Sequence, residues 1–440
     1  MAQTLKFGNK TWATKVGSTL AYNDENGNYK PLPFAFTRST SATRVNKEGL
    51  IEVVTNDRPR IDYTDTSDGV LLLEKASTNL VTYSEDFTNS SWTKDNTTIT
   101  SNQVISPDGG LNASLITANG LNSDHTIYQQ PSLSSQTHTL SAFVKKNTQR
   151  YVHLAINRSN ASTLWVSSVF DLDTLDKADY SNGSGFNDGV SKIENYGNDW
   201  YRISLTAYLP DSTGYLAFIG FAEDMTAPNI SRGRWQFTTS NSFYIWGAML
   251  EQNSVASSYI PTQGSATTRV AETASDSGNS EVFNDSEGVL FVNHKPIINT
   301  TTNSATTVNN GTANRVYIGN NTGDENLQFF MAVGGSSKIN VLTPYPKNAY
   351  SKIAFSYKSG NSKGYVNGFQ IFSDNVTFSD FTTLNELSFN NGSIEVFKGS
   401  VKEVGYYNTI LTDLELETLT SYKSWTSMVN ELNLNIIYNG

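Results

Sequence analysis

The chain has 440 residues, more than one ordinary hydrophobic core needs, and this length predicts two or three domains. Aromatic residues make up 12% and charged residues 16%, with a formal net charge of −10. The aromatic content excludes a disordered chain, the acidic balance argues against binding nucleic acid through its phosphates, and the lack of cysteine excludes disulfides and thiolate metal sites. No segment is apolar enough to predict a signal peptide or membrane insertion.

The rest of the composition is rich in Ser, Thr, Asn and Gly. Hydroxylated and aromatic side chains suit half-buried strands, while Asn and Gly suit the tight turns between them. The sequence therefore predicts an all-β fold: two tandem β-sandwich (jelly-roll-like) domains, a short N-terminal attachment segment and one C-terminal helix. The predicted boundaries are 1–69 for the attachment segment, 70–262 for the first sandwich, 263–280 for a linker and 281–440 for the second sandwich.

The first 33 residues are turn-rich and too short to form a core of their own. They nevertheless carry large apolar side chains, namely Leu5, Phe7, Trp12, Leu20, Tyr22 and Tyr29. Burying one such side chain is worth about 1.5–3 kcal/mol, so leaving several in water is unfavourable. We expect this segment to pack against a partner protein or a sister subunit, with packing on the first sandwich as the alternative.

From residue 70 onward, short segments with strand-like patterns are separated by turn residues. They are Val70–Leu73, Thr97–Ser101, Ala113–Thr117, Thr126–Gln130, His138–Lys145, Tyr151–Asn157, Trp165–Asp171, Lys192–Tyr196, Trp200–Leu209, Tyr215–Ala222 and Phe243–Leu250. The last is apolar on both faces, which predicts a strand deep in a sheet. Pro261, which has no backbone N–H, ends this ladder, and Gly264 continues into the predicted linker.

Strand patterns resume after the linker and are followed by a helix. The strands are Val289–Asn293, Arg315–Ile318, Lys352–Lys358, a hairpin over Tyr365–Gln370, and Phe397–Tyr407. Asn367-Gly368 at the hairpin tip is typical of a type I′ turn. Thr412 and Glu415 form a capping-box pattern, which predicts a helix that ends near Trp425.

Several segments resemble bacteriophage virion proteins of the tail- or head-fibre kind. These are FTRSTSATRVNKEGLIE (36–52), PRIDY (59–63) and GVLLLEKASTNLVTYSEDF (69–87). TLSAFVKK (139–146), NDWYRISLTA (198–207) and YIWGAMLEQNSVASSYIPT (244–262) resemble core strands of the carbohydrate-binding-module-like sandwich that follows in such proteins. KIAFSYKSGNSKGYVNGFQ (352–370) and FKGSVKEVGYYNTILTDLELETL (397–419) resemble a laminin-G or concanavalin-like domain.

The resemblance implies a non-enzymatic fibre or decoration component of a bacteriophage virion that adheres to host-surface glycans. It implies synthesis in the host cytoplasm, a place on the virion surface, a homo-oligomer, and docking on other virion proteins through the N-terminal segment. Two alternatives stay open. One is a purely structural collar or capsid-attached protein that binds only virion partners, and the other is a glycan hydrolase with an unrecognised site.

The sequence predicts neither a catalytic site nor a cofactor. The E-x-D-x-x-E strand of retaining glycosidases is absent, and the acidic cluster 413–417 lies on the predicted helix, where it complements the helix dipole. The four histidines show no metal-ligand spacing. Loop carboxylates, either Asp324 with Glu325 or Asp285 with Glu287, are candidates for Ca²⁺, but the sequence favours exposed polar turns there.

Three tryptophans are candidate carbohydrate-binding residues. An exposed aromatic ring stacks on the face of a pyranose while polar neighbours bind its hydroxyl groups. Trp92, Trp165 and Trp235 lie beside polar residues of turn type and suit this role. Trp200 and Trp246 fall within predicted strands and are interpreted as core residues.

Overall fold

A computed structural model of the chain describes residues 4–20, 22–25, 28–159, 164–183, 189–212, 214–226, 235–297, 304–320, 326–344, 349–393, 396–432 and 434. The side chains of residues 20–30, 235 and 236 fall outside this description. Over the described residues the chain is almost entirely strand and loop, with two short helices near its C-terminal end. The predicted all-β fold class is confirmed.

The chain folds into two compact units that are nested along the sequence. The terminal unit consists of Met1–Ser41, Val54–Lys75 and Val270–Gly440. The inserted unit consists of Ala42–Val53 and Ala76–Arg269. The chain therefore passes between the units four times, whereas the sequence predicted two domains that follow one another.

The predicted attachment segment and linker are both divided between the units. Of residues 1–69, only 42–53 belong to the inserted unit, and the rest belong to the terminal unit. The predicted linker 263–280 is divided after Arg269. Strands lie on both sides of that point: Thr267–Arg269 pairs with Ser77–Asn79, and Thr273–Ser275 pairs with Phe34–Thr37.

The largest sheet of the terminal unit combines strands from all three of its chain segments. Across the sheet they are Phe369–Asp374, Ser362–Val366, Ser351–Lys358, Glu287–Pro296, Gly399–Tyr407, Leu5–Gly8, Tyr22–Glu25 and Asn28–Pro31, with Val70–Leu73 and Arg60–Asp62 as a branch. Gly399–Tyr407 pairs with Glu287–Pro296 along one edge. Its other edge is shared by Leu5–Gly8 and Val70–Leu73, so the latter strand, predicted for the first sandwich, belongs to the terminal unit.

Two further sheets complete the terminal unit. A five-stranded sheet has the order Ser336–Thr343, Leu327–Val333, Arg315–Asn320, Ser304–Asn309 and Glu386–Ser388, and a four-stranded sheet has the order Ala13–Lys15, Ser18–Leu20, Phe34–Thr37 and Thr273–Ser275. The main core takes side chains such as Leu290 and Phe355 from the large sheet. Phe329 and Met331 from the five-stranded sheet belong to the same core. The result is a β-sandwich.

The described N-terminal apolar residues pack in the core of their own chain. Leu5 is fully buried and Phe7 is 1% exposed, and both belong to the core of the terminal unit. The Phe7 ring centroid is 4.3 Å from that of Phe34, and Trp12 packs against the same core. The described anchors therefore need no partner protein for burial, in contrast to the expectation from the sequence. The side chains of Leu20, Tyr22 and Tyr29 lie outside the described residues.

The inserted unit is a sandwich of two six-stranded sheets. One has the order Thr93–Asp95, Thr126–Gln129, Tyr215–Ala222, Tyr151–Arg158, Trp165–Asp171 and Lys177–Asn182; the other has the order Thr97–Val104, Ala113–Ala118, Ser242–Glu251, Thr137–Lys146, Tyr201–Tyr208 and Val190–Asn195. Ser242–Glu251 is central and buried along almost its whole length, as its sequence predicted. Small two-stranded ladders join Asn122–Ser123 to Trp235–Gln236 and Ala42–Val45 to Ile51–Val54.

Two local predictions in the C-terminal part are confirmed. Asn367 and Gly368 have φ angles of 52° and 89°, as a type I′ turn requires. Thr412 caps the helix Asp413–Thr420 and forms the predicted capping box with Glu415. The helix ends at Thr420 rather than near residue 425, because Ser421 takes an extended backbone conformation; a second helix, Trp425–Glu431, follows.

Four buried charged residues of the terminal unit form one cluster, which we call the ion cluster: Arg38, Arg60, Glu74 and Glu272. Arg38 Nη1 donates to Glu272 Oε1 at 2.7 Å, and Arg60 Nε donates to the same oxygen at 2.9 Å. Arg60 Nη2 lies 2.8 Å from Glu74 Oε2. Each residue lies within about six positions of one of the four passages between the units. The cluster therefore links the segments at which the chain leaves and re-enters the terminal unit.

Candidate functional site

The five-stranded sheet of the terminal unit has one face on the core and a second, outer face. Side chains alternate between the faces, so Val316 and Ile318 enter the core while Arg315 and Tyr317 lie on the outer face. The register places Tyr317 opposite Phe330 and Phe330 opposite Asn340. Residues directly opposite each other share a face, so these three side chains form a row across the outer face.

The centre of this row is a stack of two aromatic rings and one guanidinium. The centroids of Tyr317 and Phe330 are 5.1 Å apart, with 23° between the ring planes. The Arg315 Cζ atom lies 4.8 Å from the Phe330 centroid and 5.4 Å from that of Tyr317. Cation–π attraction and ring stacking fix all three side chains relative to one another.

Amide side chains continue the row toward solvent. The Tyr317 hydroxyl donates to Gln328 Oε1, and Gln328 Nε2 donates to Asn340 Oδ1 at 2.7 Å. Tyr317 is 4% exposed, Phe330 is half-buried, and Asn340 is exposed. Leu342, opposite Gln328 on the next strand, is 43% exposed. The arrangement thus offers a fixed, half-buried ring and the Asn340 amide at an accessible surface, while Gln328 is buried beneath them. Arg315, Tyr317, Gln328, Phe330 and Asn340 are called the outer-face strip below.

The loop that begins at Asn390 flanks the buried end of the strip. The Thr307 hydroxyl donates to the Asn390 carbonyl, and Arg315 Nη1 donates to the Asn391 carbonyl. Gly392 N donates to Asn390 Oδ1 at 2.8 Å, which closes the turn. This contact explains why Arg315 has a defined position and leaves Phe330 and the amides on the open side.

A pair of carboxyl groups, Glu386 and Asp276, lies at the edge of this sheet that is formed by the strand Glu386–Ser388. Glu386 is opposite Asn309, which is opposite Arg315. Burial raises the pKa of the Glu386 carboxyl to about 7, with a further contribution from its hydrogen bond to Asp276 and from the charge of Asp276. The Glu386 carboxyl therefore takes up a proton near neutral pH.

The tryptophans predicted to bind carbohydrate are not presented to solvent where their side chains are described. Trp92 is 2% exposed, and its Nε1 donates to the Tyr83 carbonyl at 2.8 Å. It packs against Phe87 in the core of the inserted unit. Trp165 is 6% exposed on a strand buried along its whole length. The Trp235 backbone pairs with residue 123, but its side chain lies outside the described residues.

The carboxylates proposed as alternative Ca²⁺ ligands have partners within the chain. Asp285 accepts hydrogen bonds from the backbone N–H groups of Thr383 and Leu384, at 3.1 and 2.7 Å. Glu287 pairs with Lys358 at 2.6 Å. Asp324 and Glu325 lie outside the described residues. Over the part of the chain that is described, no group of three or more His, Asp or Glu residues is placed to hold a metal ion.

The outer-face strip was not recognised in the sequence, although Arg315 and Tyr317 lie in a predicted strand. Phe330 lies two residues after Gln328, so both share one face, but they are embedded in a strand that is apolar throughout. Such a pattern does not distinguish the core face from the outer face. The alternation of Arg315 and Tyr317 with Val316 and Ile318 is the one local signal that an outer face with polar and aromatic residues exists.

Comparison with known families gives one match. Residues 294–417, which are 124 of the 440, match the model of the family described as "Concanavalin A-like lectin/glucanases superfamily" (Laminin_G_3). The matched segment contains the whole outer-face strip. The predicted concanavalin-like β-sandwich is therefore present in this part of the chain. No curated protein matches the sequence.

Solved structures that match this chain in part include carbohydrate-binding modules. The CBM40 of a Ruminococcus gnavus IT-sialidase is 16% identical, covering 33% of this chain and 94% of that one, with a TM-score of 0.28. Domain 4 of AbnA, a GH43 extracellular arabinanase of Geobacillus stearothermophilus, is 20% identical over 38% and 84%, with a TM-score of 0.29. The CBM22-1–CBM22-2 tandem of Paenibacillus barcinonensis Xyn10C is 9% identical over 76% and 99%, with a TM-score of 0.26. At such TM-scores these similarities carry no conclusion about fold or function.

No helix among the described residues has the length and apolar character needed to span a membrane.

Proposed function

We propose that this protein binds glycans through the outer-face strip of the terminal unit. The observation that carries the proposal is the stacked pair Tyr317 and Phe330, fixed by Arg315 and continued by amide side chains. The strip lies within the segment that matches a family of concanavalin A-like lectins and glucanases. An accessible ring beside amide groups has the composition that sugar recognition requires.

Each part of the strip has a distinct role in this proposal. Phe330 offers an apolar surface on which the C–H face of a pyranose packs. Asn340 supplies an exposed amide group that binds sugar hydroxyls, and the buried Gln328 fixes its geometry by donating to Asn340 Oδ1. Arg315 holds the ring in place from the side of the Asn390 loop. A pre-formed site of this kind loses little conformational entropy on binding.

A glycan array with the purified protein tests the proposal. We expect selective binding, and we expect Phe330→Ala to weaken it at least about ten-fold, or about 1.4 kcal/mol. Phe369→Ala is the matched control, because Phe369 is 76% exposed in the same unit but lies on the hairpin strand of the other sheet. Equal losses for both variants, or no loss for Phe330→Ala, would contradict the assignment of the strip.

We propose further that this binding serves adhesion of a bacteriophage virion to its host. The support is the resemblance of residues 36–87 to fibre proteins, together with the glycan-binding strip. Many weak sites on a homo-oligomer would give strong attachment through avidity. Electron microscopy of virions labelled with an antibody to this protein tests its place on the particle surface. Oligomerisation without any binding on the array would favour the purely structural alternative.

A hydrolase is a second candidate, favoured by the carboxyl pair Asp276 and Glu386. The raised pKa of Glu386, about 7, suits a general acid. Retaining glycosidases, however, hold their carboxyl groups about 5 Å apart, whereas these two are hydrogen-bonded to each other. We therefore expect no release of reducing sugar from glycans that the protein binds. Turnover that disappears in Glu386→Gln would establish the hydrolase instead.

A further inference from the structure

The inserted unit contains a cleft of about 330 Å³ that is separate from the outer-face strip. Four separate stretches of the chain meet there. They are the hairpin tip Gly49-Leu50, residues 104–107, Lys145, and the loop from Tyr196 to Trp200. A volume of this size lies at the lower end of the range of ligand pockets, about 300–1,000 Å³.

Hydrogen bonds hold the walls of this cleft in place. Ile51 N donates to the Pro107 carbonyl at 2.9 Å, which fixes the hairpin against residues 104–107. Trp200 Nε1 donates to the Ile105 carbonyl at 2.9 Å, which fixes the opposite loop against the same residues. Tyr196 N donates to the Trp200 carbonyl at 2.9 Å and closes that loop. The cleft is therefore a pre-formed feature of the fold.

The loop that forms one wall has an unusual backbone conformation. Gly197, Asn198 and Asp199 have φ angles of 78°, 51° and 62°, so three successive residues lie in the left-handed region. Two of them are not glycine, and such conformations persist where surrounding contacts enforce them. The effect of this turn is to bring the Asn198 carbonyl within 2.7 Å of Lys145 Nζ. The strained turn therefore positions a cation at the cleft.

The cleft is lined by apolar walls and by one charged side chain among the described residues, Lys145. Leu50, Val104 and Ile105 supply aliphatic surface, and Ile105 is 61% exposed although its side chain is large and apolar. Tyr196 adds an aromatic wall, with its ring packed edge-on against Phe143. A ligand that matches this lining has an apolar face and an anionic group.

Lys145 retains hydrogen-bonding capacity for such a ligand. Its ammonium group has three N–H donors, of which one serves the Asn198 carbonyl. The nearest carboxylate, Asp199 Oδ2, is 3.6 Å away, and the Asp199 side chain is 83% exposed, so water screens this ion pair. A carboxylate that enters the cleft gains a charge-assisted hydrogen bond in a less hydrated place.

We propose that this cleft binds a carboxylate-bearing sugar residue, with hexuronates as the class, through Lys145 and the apolar walls. The C–H face of the pyranose packs on Ile105 and Tyr196, and the carboxylate bonds to Lys145 Nζ. The site would give the inserted unit a preference for acidic glycans. It does not depend on the proposed function of the outer-face strip, because none of its residues belongs to the terminal unit.

Saturation-transfer difference NMR of the full chain tests the proposal with methyl β-D-glucuronide and the neutral methyl β-D-glucoside. To separate the two sites, we use protein that carries Phe330→Ala. We expect the glucuronide to bind at least ten-fold more tightly than the glucoside, and the difference to shrink when salt is raised, because an ion pair is involved.

Lys145→Met should remove the preference for the glucuronide while retaining the alkyl stem of the side chain. Lys146→Met is the matched control. Lys146 is the next residue in the chain, but it does not line the cleft and pairs instead with Asp173 at 2.5 Å. We expect the control to bind as its parent does. Equal affinity for both glycosides, an equal loss in both variants, or no binding of the glucuronide at millimolar concentration would overturn the proposal.

Discussion

The two units differ in how they accommodate buried carboxylates. In the terminal unit, Glu272 is fully buried and bonds to the guanidinium groups of Arg38 and Arg60. In the inserted unit, Glu251 is equally buried but accepts hydrogen bonds from hydroxyl groups, at 2.5 Å from Ser77 and 2.7 Å from Ser257. The hydrogen bonds to the first carboxylate thus come from guanidinium groups and those to the second from hydroxyl groups, while the buried Arg202 guanidinium interacts with Glu251 through its charge.

This difference follows the path of the chain. Arg38, Arg60 and Glu272 come from the three separate segments of the terminal unit, whereas Ser77 and Ser257 lie in the same continuous segment as Glu251. A buried charge without its counter-charge is strongly unfavourable. A fold in which one of the three segments is misplaced would leave such a charge in the ion cluster and would therefore be destabilised. This penalty favours the correct assembly of the terminal unit from its three separate segments. The inserted unit is formed almost entirely by one continuous segment, so its assembly depends less on such a penalty. The comparison teaches that chain connectivity affects which polar groups a core contains.

The largest effect is expected when the charge of Glu272 is removed. Glu272→Gln leaves two buried guanidinium groups with Glu74 as their remaining carboxylate in the ion cluster. Breaking a buried ion pair costs about 3–5 kcal/mol of the free energy of unfolding. Urea denaturation followed by tyrosine and tryptophan fluorescence measures the change.

Glu251→Gln sharpens the comparison because it retains an oxygen that accepts from the same hydroxyl groups. We expect a smaller loss, about 1–3 kcal/mol, which is the cost of impaired hydrogen bonding to a buried group. If both variants lose the same free energy, the distinction between a carboxylate bonded to guanidinium groups and one bonded to hydroxyl groups does not hold.

A loss between these two is expected from Leu5→Ala. Leu5 pairs with Tyr406 in the large sheet and is fully buried, so its truncation leaves a cavity and costs about 2–5 kcal/mol. Leu414→Ala is the control, since Leu414 is 73% exposed on the helix and its change should stay within about 0.5 kcal/mol. A free attachment segment would instead make Leu5→Ala as neutral as the control, as thermal unfolding would reveal.

Much of the local structure followed from the sequence, and the reasons are local. The Thr412 cap and the Asn367-Gly368 turn depend on a few neighbouring residues, and both are confirmed. The buried strand Ser242–Glu251 was evident from its apolar composition on both faces. These features need no knowledge of distant segments.

The nested topology and the outer-face strip depend on distant segments and were therefore missed. Leu5–Gly8 has the same strand pattern whether it pairs with Gly399–Tyr407 or with a partner protein. Arg38 and Glu272 carry no local sign that they meet in a core. The strip requires the register of two neighbouring strands, which places Phe330 beside Tyr317, and a one-residue slip would move one ring to the other face.

The stabilities of the two units are expected to depend differently on pH. His153 in the inserted unit and His294 in the terminal unit are fully or almost fully buried, and burial lowers the pKa of each imidazole to about 3. The unfolded chain takes up a proton near pH 6.5, but the folded chain does not. Stability therefore falls as the pH drops below about 6.5, by about 2 kcal/mol for each histidine at pH 5.

Glu386 opposes this loss in the terminal unit. In the inserted unit burial raises the pKa of the Glu85 carboxyl, which acts in the same direction, but burial also lowers the pKa of the His138 imidazole, which adds to the loss. The folded pKa of Glu386, about 7, lies above its ordinary value, so its contribution is present at acidic pH and is lost as the pH rises through 7. Hydrogen exchange between pH 5 and 7, after correction for the intrinsic exchange rate, distinguishes the units through strands Tyr151–Arg158 and Glu287–Pro296. We expect protection to fall more steeply on acidification in Tyr151–Arg158, and Glu386→Gln to reduce the difference between the strands. Equal slopes in the parent protein would show that the two units open together rather than separately.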